Sequence, residues 1–274
     1  MARPPNRMAL VGSHLCLTIR PAAKLLLKER PFSQNRRVKT CLPSQLWKIA
    51  LLANLAGFSP LAADTNALPQ ARWESDMQAF EAADKTNPPP RNAILFVGSS
   101  SIRLWKNAPA QFPKHIIINR GFGGSQLSDS VAFAERIVIP YQPRLIVLYA
   151  GDNDIAGGKT PERVLADYRE FVAKVHESLP QTCIAYLAIK PSPSRAKHQA
   201  AMKRSNDLIA KFSAGDERLL FIDVFTAMLG EDGQAREELF VKDRLHLNEA
   251  GYKLWASIVK PVLDKVAPPA PTSR

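Results

Sequence analysis

The chain has 274 residues, 46% hydrophobic and 23% charged, and a formal net charge of +12. That length allows one large domain or two small ones, and the composition is that of an ordinary globular protein. The charge is uneven: residues 1–45 hold nine Lys or Arg and one acid, which leaves +4 for the remainder, and this argues against a nucleic-acid-binding domain, whose basic residues cluster on the folded part.

The first 67 residues read as a basic leader with no fixed fold. Within it, residues 46–63 resemble a signal peptide. An apolar stretch from Ile49 to Phe58 follows the basic Lys48, and small residues from Ser59 to Ala63 close it. The stretch is too short for a membrane span, so no stable span is expected in the mature form; an amphipathic or buried helix is the alternative. Its distance from Met1 suggests that translation starts downstream. A secreted, periplasmic or cell-envelope protein is the expectation. Cys16 and Cys41 lie in this leader and Cys183 in an apolar run, where a small buried residue is expected. With no C-x-x-C pair, neither a zinc ribbon nor a thioredoxin-type site is supported.

Residues 68–92 form an N-terminal helix and a connector. Trp73, Met77 and Phe80 share one helical face over 73–83, and Asn87-Pro88-Pro89-Pro90 is stiff. The main domain covers 93–266, before a disordered tail at 267–274. Five apolar runs read as buried strands: Ala93–Val97, Ile116–Ile118, Leu145–Tyr149, Ile184–Ile189 and Leu219–Ile222. Helical patterns alternate with them at Ser128–Val138, Pro161–Leu179, Ala196–Phe212 and Glu249–Val266. Thr160 and Asn248 are the expected caps, with Pro161 suited to a first helical turn. His115 and His198 are expected at the surface.

Continuous apolar strands alternating with helices predict a parallel sheet covered on both faces. Ligands bind such sheets at the carboxyl ends of the strands, and polar segments stand there. Gly98-Ser99-Ser100-Ser101 follows the first strand. Asn119-Arg120-Gly121-Phe122-Gly123-Gly124-Ser125 follows the second, and Gly151-Asp152-Asn153-Asp154 the third. Asp243-Arg244-Leu245-His246 precedes the last helix. No Gly-x-Gly-x-x-Gly or P-loop follows the first strand, so nucleotide binding lacks support.

Acyl transfer needs a nucleophile, a base, an orienting acid and donors for an oxyanion. A serine hydroxyl attacks once an imidazole takes its proton, and a carboxylate fixes the tautomer of that imidazole. Ser100, His246 and Asp243 can fill these roles. The Ser100 N–H, a glycine N–H and the Asn153 amide can supply oxyanion donors, each worth about 3–4 kcal/mol of barrier lowering. Arg103 and Trp105 follow the nucleophile and can line the substrate pocket, with the core as the alternative place for Trp105. Asp152 and Asp154 can be solvated or helix-initiating acids, or can hold a metal; no metal is expected.

Together the four segments resemble the SGNH family of GDSL-like lipases and acylhydrolases, over about residues 93–263. Gly98-Ser99-Ser100 matches its Gly-Asp-Ser block with Ser99 in place of Asp, Gly124 its glycine block, Gly151-Asp152-Asn153-Asp154 its Gly-x-Asn-Asp block, and Asp243 with His246 its Asp-x-x-His block. Ser125 stands where related sequences often carry Asp. The resemblance is nearest the branch of platelet-activating-factor acetylhydrolase subunits. It implies a three-layer α/β/α sandwich, flavodoxin-like, with a five-stranded parallel sheet and no cofactor. It implies Ser100 as nucleophile, Gly124 and Asn153 as oxyanion donors, and a small-molecule, glycan or lipid ester as substrate. A short acyl group such as acetate is the expected acyl part of that ester. A non-catalytic carbohydrate-binding or scaffold protein on the same fold is the alternative.

Overall fold

A computed structural model describes residues 69–266. They belong to a unit covering residues 61–274; the other unit, residues 1–60, lies outside the described residues. The leader with its signal-like segment at 46–63, Cys16, Cys41 and the tail at 267–274 all lie outside them too.

Five strands form one parallel sheet: β1 (Ile94–Gly98), β2 (Ile117–Gly121), β3 (Leu145–Tyr149), β4 (Cys183–Leu187) and β5 (Leu219–Ile222). Their order is β2-β1-β3-β4-β5, the flavodoxin-like arrangement. β1 and β3 sit inside the sheet, and every residue of both is buried. This is why they read as unbroken apolar runs. β2 is an edge strand and only partly buried; Ile116, expected within it, precedes it and is 59% exposed. At the start of β4, Cys183 is half-buried rather than enclosed, and burial pushes its thiol up from its ordinary value.

The helices, in chain order, are α1 (Glu74–Thr86), α2 (Ser100–Arg103), α3 (Ala108–Gln111), α4 (Leu127–Ala132), α5 (Ala134–Ile137), α6 (Asp152–Ala156), α7 (Pro161–Ser178), α8 (Gln199–Ser213) and α9 (Glu249–Val266). They cover both faces of the sheet, with α7 packed between α4 and α8, and α9 against α3. Thr160 accepts from the Arg163 N–H and Asn248 from the Gly251 N–H, so both caps form. Two helices differ from expectation. Ser128–Val138 breaks at Phe133, whose φ of −94° and ψ of 3° lie outside the helical region. Residues 193–198 form a 3₁₀ turn, because Pro193 and a bent Arg195 prevent α8 from starting before Gln199.

The core is aromatic around β1. Trp105 lies 5.3 Å from Phe96, 5.7 Å from Phe112 and 5.7 Å from Trp255, centroid to centroid. Rings of this size bury about 150–250 Å² each, worth roughly 4–6 kcal/mol as an upper bound. His115 is buried, contrary to expectation, and its Nε2 meets Asp264 at 2.8 Å. A partner on the last helix explains why an imidazole can leave solvent there.

Candidate active site

The flavodoxin-like strand order has its switch point between β1 and β3, where the chain leaves the two strands toward opposite edges and opens a crevice. The nucleophile segment follows β1. Gly98 ends that strand at φ +136°, and a Cβ there would stand 1.8 Å from the Tyr149 carbonyl oxygen. Only glycine allows β1 and β3 to approach this closely. The Ser99 N–H then donates to the Tyr149 carbonyl at 3.0 Å, and the chain turns into α2.

This turn separates three adjacent serines. Ser99 and Ser101 are buried at 0% and 1% exposure, whereas Ser100 opens on a cleft. The Ser100 Oγ lies 3.0 Å from His246 Nε2. On the far side of the ring, Nδ1 lies 2.6 Å from Asp243 Oδ2. Residues 100 and 246 therefore meet across 146 positions of chain.

The loop holding Asp243 and His246 is organised by the aspartate itself. Asp243 Oδ1 accepts the Leu245 and His246 N–H groups, each at 2.9 Å, a local turn that aspartate favours. Arg244 takes a left-handed φ of 58° between them. Phe240 pairs with Leu247 in an antiparallel bridge, and the Asn248 amide donates to the Glu238 and Phe240 carbonyls. Partial burial pushes the Asp243 carboxyl up, but the His246 N–H, the His246 ring and the Leu245 N–H outweigh it and hold the group at about 2. A carboxylate there selects the tautomer with hydrogen on Nδ1 and leaves Nε2 free to accept from Ser100.

Two further predicted residues border the same cleft. Gly124 adopts φ +76° and Asn153 projects from α6. The Asn153 Nδ2 donates to the Ser125 carbonyl at 2.9 Å, which ties the glycine segment to the end of β3. An amide nitrogen carries two hydrogens, so one remains. The cleft holds about 460 Å³ and is lined by residues including Ser100, His246, Gly123, Gly124, Asn153 and Arg103.

Trp105 does not reach it. Its side chain is fully buried in the aromatic core, its indole N–H donating to Gln111 at 2.6 Å. The substrate-binding expectation for Trp105 is therefore corrected: helix α2 is one turn long and ends before it, and the chain carries the indole inward. Asp152 and Asp154 are committed to ion pairs. Asp152 meets Lys190 at 3.1 Å and Arg195 at 3.3 Å; Asp154 meets Lys159 at 2.8 Å and accepts the Leu127 N–H. Burial raises Asp152, yet Lys190 and Arg195 hold it below its ordinary value.

Four cleft residues were not singled out from sequence: Arg72, Trp73 in this role, Asp76 and Arg195. Arg195 has a findable signal, since it follows β4 as the other site segments follow β1, β2 and β3. Arg72 has none, because it precedes the first strand.

Residues 95–254 match the GDSL-like Lipase/Acylhydrolase family. No curated protein matches the chain. Among solved structures, it is similar to a Streptococcus pneumonia protein described as a platelet activating factor, with 24% identity over 70% of this chain and 93% of that one and a TM-score of 0.62. A GDSL-like lipase from Bacteroides thetaiotaomicron shares 19% identity over 69% and 97%, with a TM-score of 0.59. A carbohydrate esterase family 3 protein from Talaromyces cellulolyticus shares 14% over 63% and 96%, with a TM-score of 0.51. Likeness at these identities shows the fold, while the family match spans more than half of the chain. The chain belongs to the GDSL-like lipase/acylhydrolase family, a family of ester hydrolases.

Proposed function

We propose that the protein cleaves a carboxylic ester with a short acyl group, acetate above all, through an acyl-serine intermediate. The observation that carries this reading is the unbroken contact from Ser100 Oγ through His246 to Asp243, at 3.0 Å and 2.6 Å. In the first half-reaction Ser100 Oγ attacks the ester carbonyl carbon while His246 Nε2 takes its proton. The tetrahedral oxyanion accepts from the Ser100 N–H, the Gly124 N–H and the remaining Asn153 amide hydrogen. Collapse breaks the bond to the leaving alkoxide, which takes the proton back from Nε2. Water then gives a proton to His246 and attacks the acyl-serine, releasing the carboxylic acid and restoring Ser100.

The short acyl group is inferred from the resemblance to the platelet-activating-factor acetylhydrolase branch, and the cleft of about 460 Å³ is the size of an ordinary small-ligand site, roughly 300–1,000 Å³. The substrate class is a glycan or small-molecule ester. Among the described residues no helix is long and apolar enough to cross a membrane, and the signal-like segment at 46–63 supports action outside the cytoplasm.

Replacing Ser100 with Ala tests the reading. Turnover of p-nitrophenyl acetate is expected to fall by about 10⁴ or more, with unchanged circular dichroism and lost fluorophosphonate labelling. Retained turnover would reject Ser100 as the nucleophile. Faster cleavage of octanoyl than of acetyl p-nitrophenyl ester would reject the short-acyl preference.

A further inference from the structure

The cleft is lined by three arginines, Arg72, Arg103 and Arg195, and by one carboxylate, Asp76. Arg195 is already engaged: it shares Asp152 with Lys190, lying 3.3 Å from that carboxylate, and donates to Asn153 at 2.9 Å. Arg72 and Arg103 form no ion pair among the described residues. Both guanidinium groups lie against the glycine turn beside the nucleophile. A Cβ built on Gly124 would stand 2.7 Å from Arg72 Nη2, and one on Gly123 would stand 2.9 Å from Arg103 Nε. The bare turn is what lets two cations reach this rim.

Arg72 is also held in place before any ligand arrives. Its guanidinium stacks 4.8 Å above the Trp73 ring. The Trp73 indole N–H donates to the Gly123 carbonyl at 2.9 Å, and the ring meets Phe122 edge-on at 5.8 Å. A stacked, anchored guanidinium loses less entropy on binding than a free surface one. Two cations facing one cleft repel each other, and an anion that bonds to both removes that repulsion while gaining charge-assisted hydrogen bonds.

Taking the cleft as the ester-hydrolysing site, we propose that its substrate carries a fixed negative charge, a carboxylate or a phosphate, close to the ester bond, and that Arg72 and Arg103 bind it. Asp76 opposes this preference and limits its size. The two arginines act on recognition, so the effect falls on KM more than on kcat.

The test compares 4-acetoxybenzoate and 4-acetoxyphenyl phosphate with neutral methyl 4-acetoxybenzoate, each rate normalised to uncatalysed hydrolysis. The carboxylate and phosphate arms distinguish the two sources of charge. An anionic-over-neutral preference in kcat/KM of about tenfold is expected, collapsing in the Arg72→Gln/Arg103→Gln double variant and in about 0.5 M salt. Asp76→Asn should raise it. Equal use of anionic and neutral esters by the wild type, or a preference that survives in the double variant, overturns the proposal. If no ester is hydrolysed, the esterase reading fails separately. Calorimetric titration with 4-hydroxybenzoate and phenyl phosphate then decides: binding that the double variant loses supports the anion site, and no binding overturns it.

Discussion

The guanidinium of Arg195 donates to the side-chain oxygen of Asn153 at 2.9 Å. This bond fixes the direction of the Asn153 amide. With its oxygen turned to Arg195 and one hydrogen on the Ser125 carbonyl, the other hydrogen is left for the cleft. Arg195 is braced by Asp152, which is braced in turn by Lys190, a lysine only 1% exposed. A buried ion pair adds little net stability; here its product is the orientation of one donor.

Arg195 is therefore a positioning residue, and its replacement has a recognisable signature. Asn153→Ala should lower kcat by about 10²–10³, as loss of an oxyanion donor does. Arg195→Met should lower kcat by roughly 10–100-fold with a smaller change in KM, as loss of a supporting shell does. If Arg195 acts through Asn153, the double variant should be no slower than Asn153→Ala alone. Steady-state kinetics on the four proteins of this cycle would show it, and independent, multiplying effects would mean that Arg195 acts by another route.

The strand cores and three of the site segments were legible because buried parallel strands are continuous apolar runs with their functional groups at one end. What escaped depends on partners far along the chain. Trp73 bonds to Gly123, 50 residues on, and this contact brings Arg72 to the cleft without any local pattern. His115 sits between Lys114 and an apolar run, so its burial follows only from Asp264, 149 residues away. Trp105 is ambiguous because a short turn can point a ring either way, and the packing of Phe112 and Trp255 decides. Arg195 follows β4 as the other site segments follow their strands, but the Pro191-Ser192-Pro193-Ser194 stretch separates it from the strand end.

Acid sensitivity should register at Asp216. Its carboxyl accepts from the Arg218 side chain and backbone N–H, each through Oδ1 at 2.9 Å, and these bonds lower it from 3.8 to about 2. Arg218 also donates to the Pro180 carbonyl, which fastens the start of β5 to the loop before β4. A lowered folded value means that the stabilisation is complete above the unfolded value of 3.8 and is lost as pH falls through about 2. Asp216→Asn keeps the acceptor and removes the charge. At neutral pH it should cost about 0.5–1 kcal/mol, since the pair is near the surface. The difference in thermal midpoint from wild type should hold steady from pH 8 to 5 and close between pH 4 and 2. A difference that persists at pH 2 would show that the charge is not its source.

Gly98 offers the sharpest test of how the fold delivers the nucleophile. Its φ of +136° is a region that side chains avoid, and an added methyl would lie 1.8 Å from a backbone oxygen of β3, which has no freedom to move aside. Gly98→Ala must therefore part β1 from β3, and the hydrogen bond from the Ser99 N–H to Tyr149 breaks first. The cost should be about 3 kcal/mol or more. Gly233 is the control, since its φ of +72° is also left-handed but an added Cβ meets nothing within 4 Å; Gly233→Ala should cost only about 1 kcal/mol. Urea midpoints measure both. Where Gly98→Ala still folds, its kcat should fall far more than that of Gly233→Ala, because Ser100 then shifts from a position set to 3.0 Å from His246. Wild-type stability and kcat in Gly98→Ala would mean that the close approach of the two strands does not set the position of Ser100.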